Sequence, residues 1–323
     1  MVRLVKCLSL VASVRRIQVF STMRMKPSLI HHLCGVIIAV LCLVIAQPQA
    51  WAAAKAKKRG AGGQGLSQEW EPSFDLKTYK QNYLLLYALS SQPNNQPTSP
   101  NPLNQVLTPY ALDNRDMKFQ ISLKYALADN QAYGSFWFAY TQLSFWQFYD
   151  KTNSQPFRGT DYSPEFIYSL QPFEPVIVNF GAVHQSNGEA TPRSRSWNRM
   201  YIEPAVELIG GGGQQLVLQA RWWQRFEEDP LGDDNADIHH YLGYREVELR
   251  YCQEGGWQVS AVARSNSAQL DIAAPLSAWL MLGDAEEKGL NVHLQYFSGY
   301  GESLLDYNQG HVTWGLGLSI PFN

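Results

Sequence analysis

The chain has 323 residues and a formal net charge of −2, so it lacks the strongly basic balance that marks a nucleic-acid binder. Aromatic residues make up 13%, with ten Trp and seventeen Tyr, yet the mean hydropathy of −0.26 is that of a water-soluble protein. A transmembrane β-barrel reconciles the two, because only alternate residues meet lipid and aromatic girdles mark both interfaces.

In chain order, the first signal is one of targeting. Arg24 and Lys26 precede an apolar run over 33–46, and Ala50-Trp51-Ala52-Ala53-Ala54 has the small-x-small form of a signal-peptidase site. Residues 1–54 are therefore expected to be a signal peptide, with translation starting at Met1, Met23 or Met25. Residues 55–79 are expected as a periplasmic N-terminal linker, and 80–323 as one barrel domain. Cys7, Cys34 and Cys42 fall in the signal; Cys252 is left alone, so no internal disulfide staples the fold.

Beyond the linker, strands are predicted at 81–90, 116–127, 131–149, 160–171, 175–184, 198–208, 214–226, 238–252, 257–264, 268–280, 290–298 and 310–322, with no helical interlude. The expected fold is all-β, a twelve-stranded antiparallel transmembrane β-barrel. In the last strand Val312, Trp314, Leu316, Leu318, Ile320 and Phe322 share one face, while His311, Thr313, Gly315, Gly317 and Ser319 share the other. Over 214–226, Leu216, Leu218, Ala220, Trp222 and Phe226 lie opposite Gln219, Arg221 and Arg225. Charges on an inner face need partners, and Glu246, Glu248 and Arg250 are the candidates across the lumen.

Connection lengths alternate. Long loops at 91–115, 150–159, 185–197, 227–237 and 299–309 interleave with short turns at 128–130, 172–174, 209–213 and 253–256; 265–267 and 281–289 break the pattern. Barrels of this kind put short turns in the periplasm and long loops outside.

One long loop carries chemistry. His184 and Ser186, two apart on a strand, point to one face as that strand ends, and Asn198 opens the returning strand, within reach of the imidazole Nδ1–H. A nucleophile, a base and an orienting acceptor are then together. A His and a Ser two apart are by themselves ordinary polar neighbours. Parity adds a sharper point: His184 and Ser186 share the even face of Val176, Val178, Phe180 and Ala182, and Asn198 that of Met200, Ile202, Val206 and Leu208. Both faces are apolar, so the three polar groups are expected to project outward at membrane-interface height, where a hydrolytic site would meet lipid.

From about Asn82 to the C-terminus the chain resembles bacterial outer-membrane phospholipase A. The pieces that carry the resemblance are His184-x-Ser186-Asn187-Gly188, Pro192-x-Ser194-Arg195-Ser196-Trp197-Asn198-Arg199, Tyr140-Thr141-Gln142, Pro156-Phe157-Arg158 and Tyr300-Gly301-Glu302-Ser303-Leu304-Leu305-Asp306-Tyr307-Asn308. The resemblance implies a calcium-dependent ester hydrolase with phospholipase A1, A2 and lysophospholipase activity, active as a homodimer. Ser186 would be the nucleophile, His184 the base, Asn198 its orienting partner and the Gly188 N–H an oxyanion donor. Calcium would be held by Ser194 Oγ and the Glu189 carbonyl of one chain and by Ser154 Oγ of the other, hard oxygens that suit the ion. Gln142 matches a polar residue of the dimer interface, and Phe157, Thr160 and Tyr162 match the acyl cleft. Thr191 stands where the family carries an aspartate, a change toward weaker calcium binding by a lone monomer.

The alternative is a non-enzymatic outer-membrane barrel or small channel. Twelve strands and an interior crowded with Arg, Glu, His and Gln leave little room for a pore. A soluble lipase is disfavoured by the outward apolar faces and by the lack of a Gly-x-Ser-x-Gly elbow.

Overall fold

The computed structural model describes residues 66–130, 133–229, 232–280 and 289–321, so the expected signal segment lies outside the described residues. A two-residue strand, β1 (Lys77–Thr78), precedes β2 (Tyr83–Ser90), β3 (Arg115–Asn130), β4 (Gly134–Trp146), β5 (Phe157–Phe173), β6 (Val176–Ser186) and β7 (Ser196–Gly211). Then come β8 (Gln214–Arg225), β9 (Arg245–Gln253), β10 (Trp257–Arg264), β11 (Ser267–Pro275), β12 (Asn291–Gly299) and β13 (His311–Ser319). Each strand from β2 onward pairs antiparallel with its neighbour in sequence, and β13 returns to pair with β2. Strands β2 to β13 thereby close into a twelve-stranded barrel, and the short β1 pairs with β3 beyond the end of β2.

The alternation is the expected one. Trp314 and Leu316 face out, while His311, Thr313, Gly315, Gly317 and Ser319 are buried inside. Phe136, Phe166, Phe180, Ile202 and Trp222 are likewise exposed on the outer wall. A monomer in water rarely carries an apolar patch beyond a few hundred Å²; a belt that encircles the barrel requires a lipid surround.

Two predicted strands need correction. The segment 238–252 does not run as one strand: Ile238–Leu242 is a short helix, α2, and β9 begins only at Arg245. Ile238 and Leu242, four apart, are both buried and pack with Trp197, Trp223, Leu304 and Tyr307, so the period there is helical rather than alternating. The strand predicted over 268–280 ends at Pro275, and Leu276–Trp279 is helical (α3). Proline has no N–H for the next ladder bond.

The interior is packed from both ends. Of the expected linker, residues 66–79 enter the short-turn mouth: Trp70 meets Trp137 edge-on at 5.7 Å, and Leu66, Tyr79, Ile167, Ile177 and Val217 complete that cluster. Glu69, in the helical turn Leu66–Glu69 (α1), accepts from Arg250 Nη2 at 2.6 Å. At the other mouth the loop after β12 folds inward, and Glu302, Leu304, Leu305, Asp306 and Tyr307 are buried.

The ion pairs between these plugs differ from those expected. Arg221 pairs with Glu203 and reaches Glu165 and Tyr79 Oη, not Glu246 or Glu248. Glu246 is taken by Arg264 at 2.6 Å, Glu248 accepts from Ser260 Oγ at 2.9 Å, and Arg250 goes to Glu69. Partners come mostly from adjacent strands and the N-terminal plug, which shortens the reach each charge must make. Cys252 is buried and free.

Candidate active site

Strand β6 brings His184 and Ser186 to the long-loop rim. Along it Ile177, Asn179, Gly181 and Val183 are buried, while Phe180, Ala182 and His184 are exposed and Ser186 is half-exposed. The expected outward orientation of both residues is therefore present. Gly181 is required for the inner packing, since a Cβ there would lie 2.1 Å from the Tyr201 ring.

In the hairpin register His184 lies directly opposite Asn198, and Ser186 opposite Ser196. The imidazole Nδ1 is 2.8 Å from Asn198 Oδ1. An amide oxygen only accepts, so with Asn198 Oδ1 toward the ring Nδ1 is the donor, and in the neutral imidazole that tautomer leaves the lone pair on Nε2. The Ser186 hydroxyl lies two residue pairs nearer the tip on the same face. Behind the pair, the inner face is braced: Gln185 Oε1 accepts from Trp197 Nε1 at 3.0 Å and from Arg199 Nη2 at 2.7 Å.

The loop beyond Ser186 is ordered by Asn187, a residue with no assigned role in the sequence reading. Its side chain is buried, donates to the Arg193 carbonyl at 2.7 Å, and accepts from Arg195 N at 2.9 Å and Glu189 N at 3.3 Å. This cross-loop bonding is an Asx-type device, and an Asn before a Gly is its usual signal. Gly188 follows at φ +67°, and a Cβ there would meet Tyr162 Cε2 at 3.0 Å. Both facts favour Gly where the backbone must turn against Tyr162.

The three residues expected to bind calcium lie on two loops of the chain, Glu189 and Ser194 on one and Ser154 on the other. Ser194 Oγ donates to Asp234 Oδ2 at 2.6 Å, and the Asn104 amide bridges the Ser194 carbonyl (2.7 Å) and Asp234 Oδ1 (2.8 Å). Asn104 Oδ1 is buried without a hydrogen-bond partner, on the branch of the amide opposite the Nδ2 that meets Ser194 and Asp234. Serine, carboxylate and amide oxygens are the donor types a hard cation takes. Glu189 turns its carboxylate to Arg193, whose Nη2 donates at 2.9 Å. Burial weakens the Arg193 charge, but that carboxylate outweighs it and holds the guanidinium above its ordinary pKa; only the Glu189 carbonyl is then free of the pair. Ser154 lies on the separate β4–β5 loop, exposed and at φ +61°. Among the described residues no group of three or more His, Cys, Asp or Glu side chains could hold a metal. Neither Asn104 nor Asp234 was singled out from sequence; an acidic pair, Asp233-Asp234, inside a long loop was the available signal.

The remaining expected residues flank the hairpin. Tyr162 pairs in register with Ser186 across β5–β6 and is exposed, with Thr160 on the same outer face. Phe157 stacks on Trp146 at 5.3 Å, which gives the rim an apolar floor. Gln142 also faces out, held within its own chain by Tyr140 Oη (3.1 Å) and Ser144 Oγ (3.1 Å). A last contact lies behind Asn198: its Nδ2 donates to Glu228 Oε1 at 3.2 Å. Burial raises the Glu228 carboxyl above the usual carboxylate range, with Asp233 adding to it and Arg225 and the Asn198 bond opposing.

A closed twelve-stranded barrel with a lipid-facing belt and an outward His–Asn pair at one rim defines a membrane-embedded barrel of the outer-membrane phospholipase A class. The family model described as Phospholipase A1 matches residues 64–320, and the chain belongs to that family. The phospholipase A1 of Proteus vulgaris is 32% identical over 285 residues, covering 81% of this chain and 87% of that protein. A Neisseria meningitidis protein named as a candidate phospholipase A1 is 35% identical over 253 residues, 75% of this chain; the match spans 63% of its length. Among solved structures, the calcium-bound outer membrane phospholipase dimer of Salmonella typhi superposes with a TM-score of 0.64 at 27% identity, covering 81% of this chain and 98% of that one. The Escherichia coli outer membrane phospholipase A gives 0.62 at 28% identity, with coverages of 76% and 98%.

Proposed function

We propose that the protein is exported by its N-terminal signal to the bacterial outer membrane and hydrolyses acyl ester bonds there. Its substrates are glycerophospholipids at both acyl positions, and lysophospholipids. The observation that carries this reading is the 2.8 Å contact between His184 Nδ1 and Asn198 Oδ1 on the outward face beside Ser186. Long loops face outside, so the site meets the outer leaflet.

In this mechanism Ser186 Oγ attacks the ester carbonyl while His184 Nε2 takes its proton. The Gly188 N–H points a partial positive charge at the carbonyl oxygen as it becomes an oxyanion. His184 then gives the proton to the departing glycerol oxygen, leaving an acyl-Ser186 ester. Water, deprotonated by His184, releases the fatty acid and restores the hydroxyl. Throughout, Asn198 holds the ring in one tautomer, though a neutral amide stabilises imidazolium less than a carboxylate would.

Ser194 Oγ and the Glu189 carbonyl, with Asp234 alongside, would hold calcium together with Ser154 of the partner subunit. Bound there, the ion supplies positive charge toward the oxyanion. Two barrels associate in the membrane through the face that carries Gln142, where an amide in an apolar setting gains from a partner. The acyl chain then lies along Phe157, Thr160 and Tyr162.

Acyl release from mixed phospholipid–detergent micelles by the refolded protein, in calcium and in excess chelator, tests the reading. The expected result is calcium-dependent release, steepening with protein density in the micelle. Release unaffected by chelator would remove the calcium role. No release from a folded, calcium-loaded dimer would leave a barrel without turnover.

A further inference from the structure

The His184–Asn198 pair is extended by one residue that sequence gives no reason to select. Glu228 lies in the 226–244 loop after β8, and its carboxylate accepts from Asn198 Nδ2 at 3.2 Å. The stem of that loop is tied to β7 at two points and to β8 at a third. Phe226 N donates to the Asn198 carbonyl at 2.9 Å, and Ser196 N donates to Asn235 Oδ1 at 3.0 Å. Arg225 Nη2 pairs with Asp233 Oδ1 at 2.6 Å. These contacts anchor the loop on either side of Glu228.

An amide has two faces of nearly equal shape. Rotated by a half-turn, Asn198 would offer its NH2 to Nδ1, which would force the proton onto Nε2 and leave no lone pair for Ser186. A carboxylate only accepts, so Glu228 admits one orientation: Nδ2 toward itself and Oδ1 toward His184. It also polarises the amide. Hydrogen bonds in a chain strengthen one another, and negative charge behind the N–H enriches the carbonyl oxygen that faces the imidazole.

We propose that Glu228 is a positioning residue, the fourth member of a Ser186–His184–Asn198–Glu228 relay that supplies, one amide removed, the negative charge Asn198 lacks. The proposal rests on the triad assigned above. The charged groups that face Glu228 are Arg225 at the end of β8 and Asp233 and Asp234 in its own loop; from β7 it meets the neutral Asn198.

The test is steady-state acyl release against pH, with wild type, Ser186→Ala, Glu228→Gln and Glu228→Asp, and with Glu228→Gln repeated in an Asn198→Asp background. Heat-modifiable gel mobility reports folding of each. Glu228→Gln keeps the shape but not the charge, so kcat should fall about tenfold, the scale of one charge-assisted hydrogen bond, with KM within about twofold. Losing a nearby negative charge lowers the proton affinity of His184, so the acidic limb of kcat/KM should move to lower pH. Glu228→Asp should keep the limb where wild type has it. With a carboxylate already facing His184 in the Asn198→Asp background, Glu228→Gln should cost nothing. Wild-type kcat and pH profile in Glu228→Gln would overturn the relay, and so would an equal loss in both backgrounds, which would mark a loop-folding role. Should wild type show no Ser186-dependent release, the triad itself fails and the relay falls with it.

Discussion

The molecule holds two polar assemblies that obey opposite rules. Inside the barrel, Glu302 accepts from Lys118 (2.8 Å), His311 (2.6 Å) and Thr313 (2.7 Å), and Glu165 accepts from Tyr201 (2.8 Å) and Tyr79 (3.3 Å). Carboxylates there are crowded by donors, as burial demands. At the rim, His184 is exposed and held by a single neutral oxygen. The same residue types thus pair off in one place and, in the mechanism proposed above, exchange protons in the other. What separates them is strand parity: odd positions of β6 point into the network, even ones to the outer surface.

The strongest way to break that contrast is at the rim. Ser186→Ala or His184→Ala should lower acyl release roughly 10⁴-fold or more without changing heat-modifiable mobility; residual activity near wild type would mean that the outward face is not where chemistry occurs. Inside, the contrast demands the reverse. Arg221→Met removes the guanidinium shared by Glu203 and Glu165 and should lower unfolding stability in urea by about 3–5 kcal/mol, while activity per folded molecule stays near wild type. A large activity loss at unchanged stability would blur the two assemblies. Asn198→Ala removes the orienting oxygen and should cost about ten- to a hundredfold in kcat, the range of a hydrogen bond to a charged partner. The smallest effect is expected at Gly188→Ala, where a Cβ at φ +67° adds about 1–2 kcal/mol of strain and presses on Tyr162; a several-fold loss in kcat would check it.

The two assemblies also differ in how far they could be read from sequence. Parity along 175–184 and 198–208 placed His184, Ser186 and Asn198 on the outer face, because a hairpin with a period of two fixes facing and register together. The interior partners were not legible. Which charge meets Arg221 depends on barrel tilt and on the inward course of residues 66–79, and neither leaves a mark in strand alternation. The 226–244 loop hid the most. Its helix Ile238–Leu242 is a single turn set by contacts with Trp197 and Trp223, and Asp234 and Glu228 reach the hairpin only through the path of that loop. Family resemblance supplied Ser194 and Ser154; it did not supply the Asp234 and Asn104 that stand against Ser194.

The most direct test of the central claim is covalent. A fluorophosphonate phospholipid analogue, added to the protein in phospholipid vesicles with calcium, should form one adduct, located by peptide mass spectrometry on Ser186. Labelling should be lost in His184→Ala and slowed by competing phospholipid. An adduct on another residue, or labelling of Ser186 that is indifferent to His184 and to phospholipid, would contradict the account.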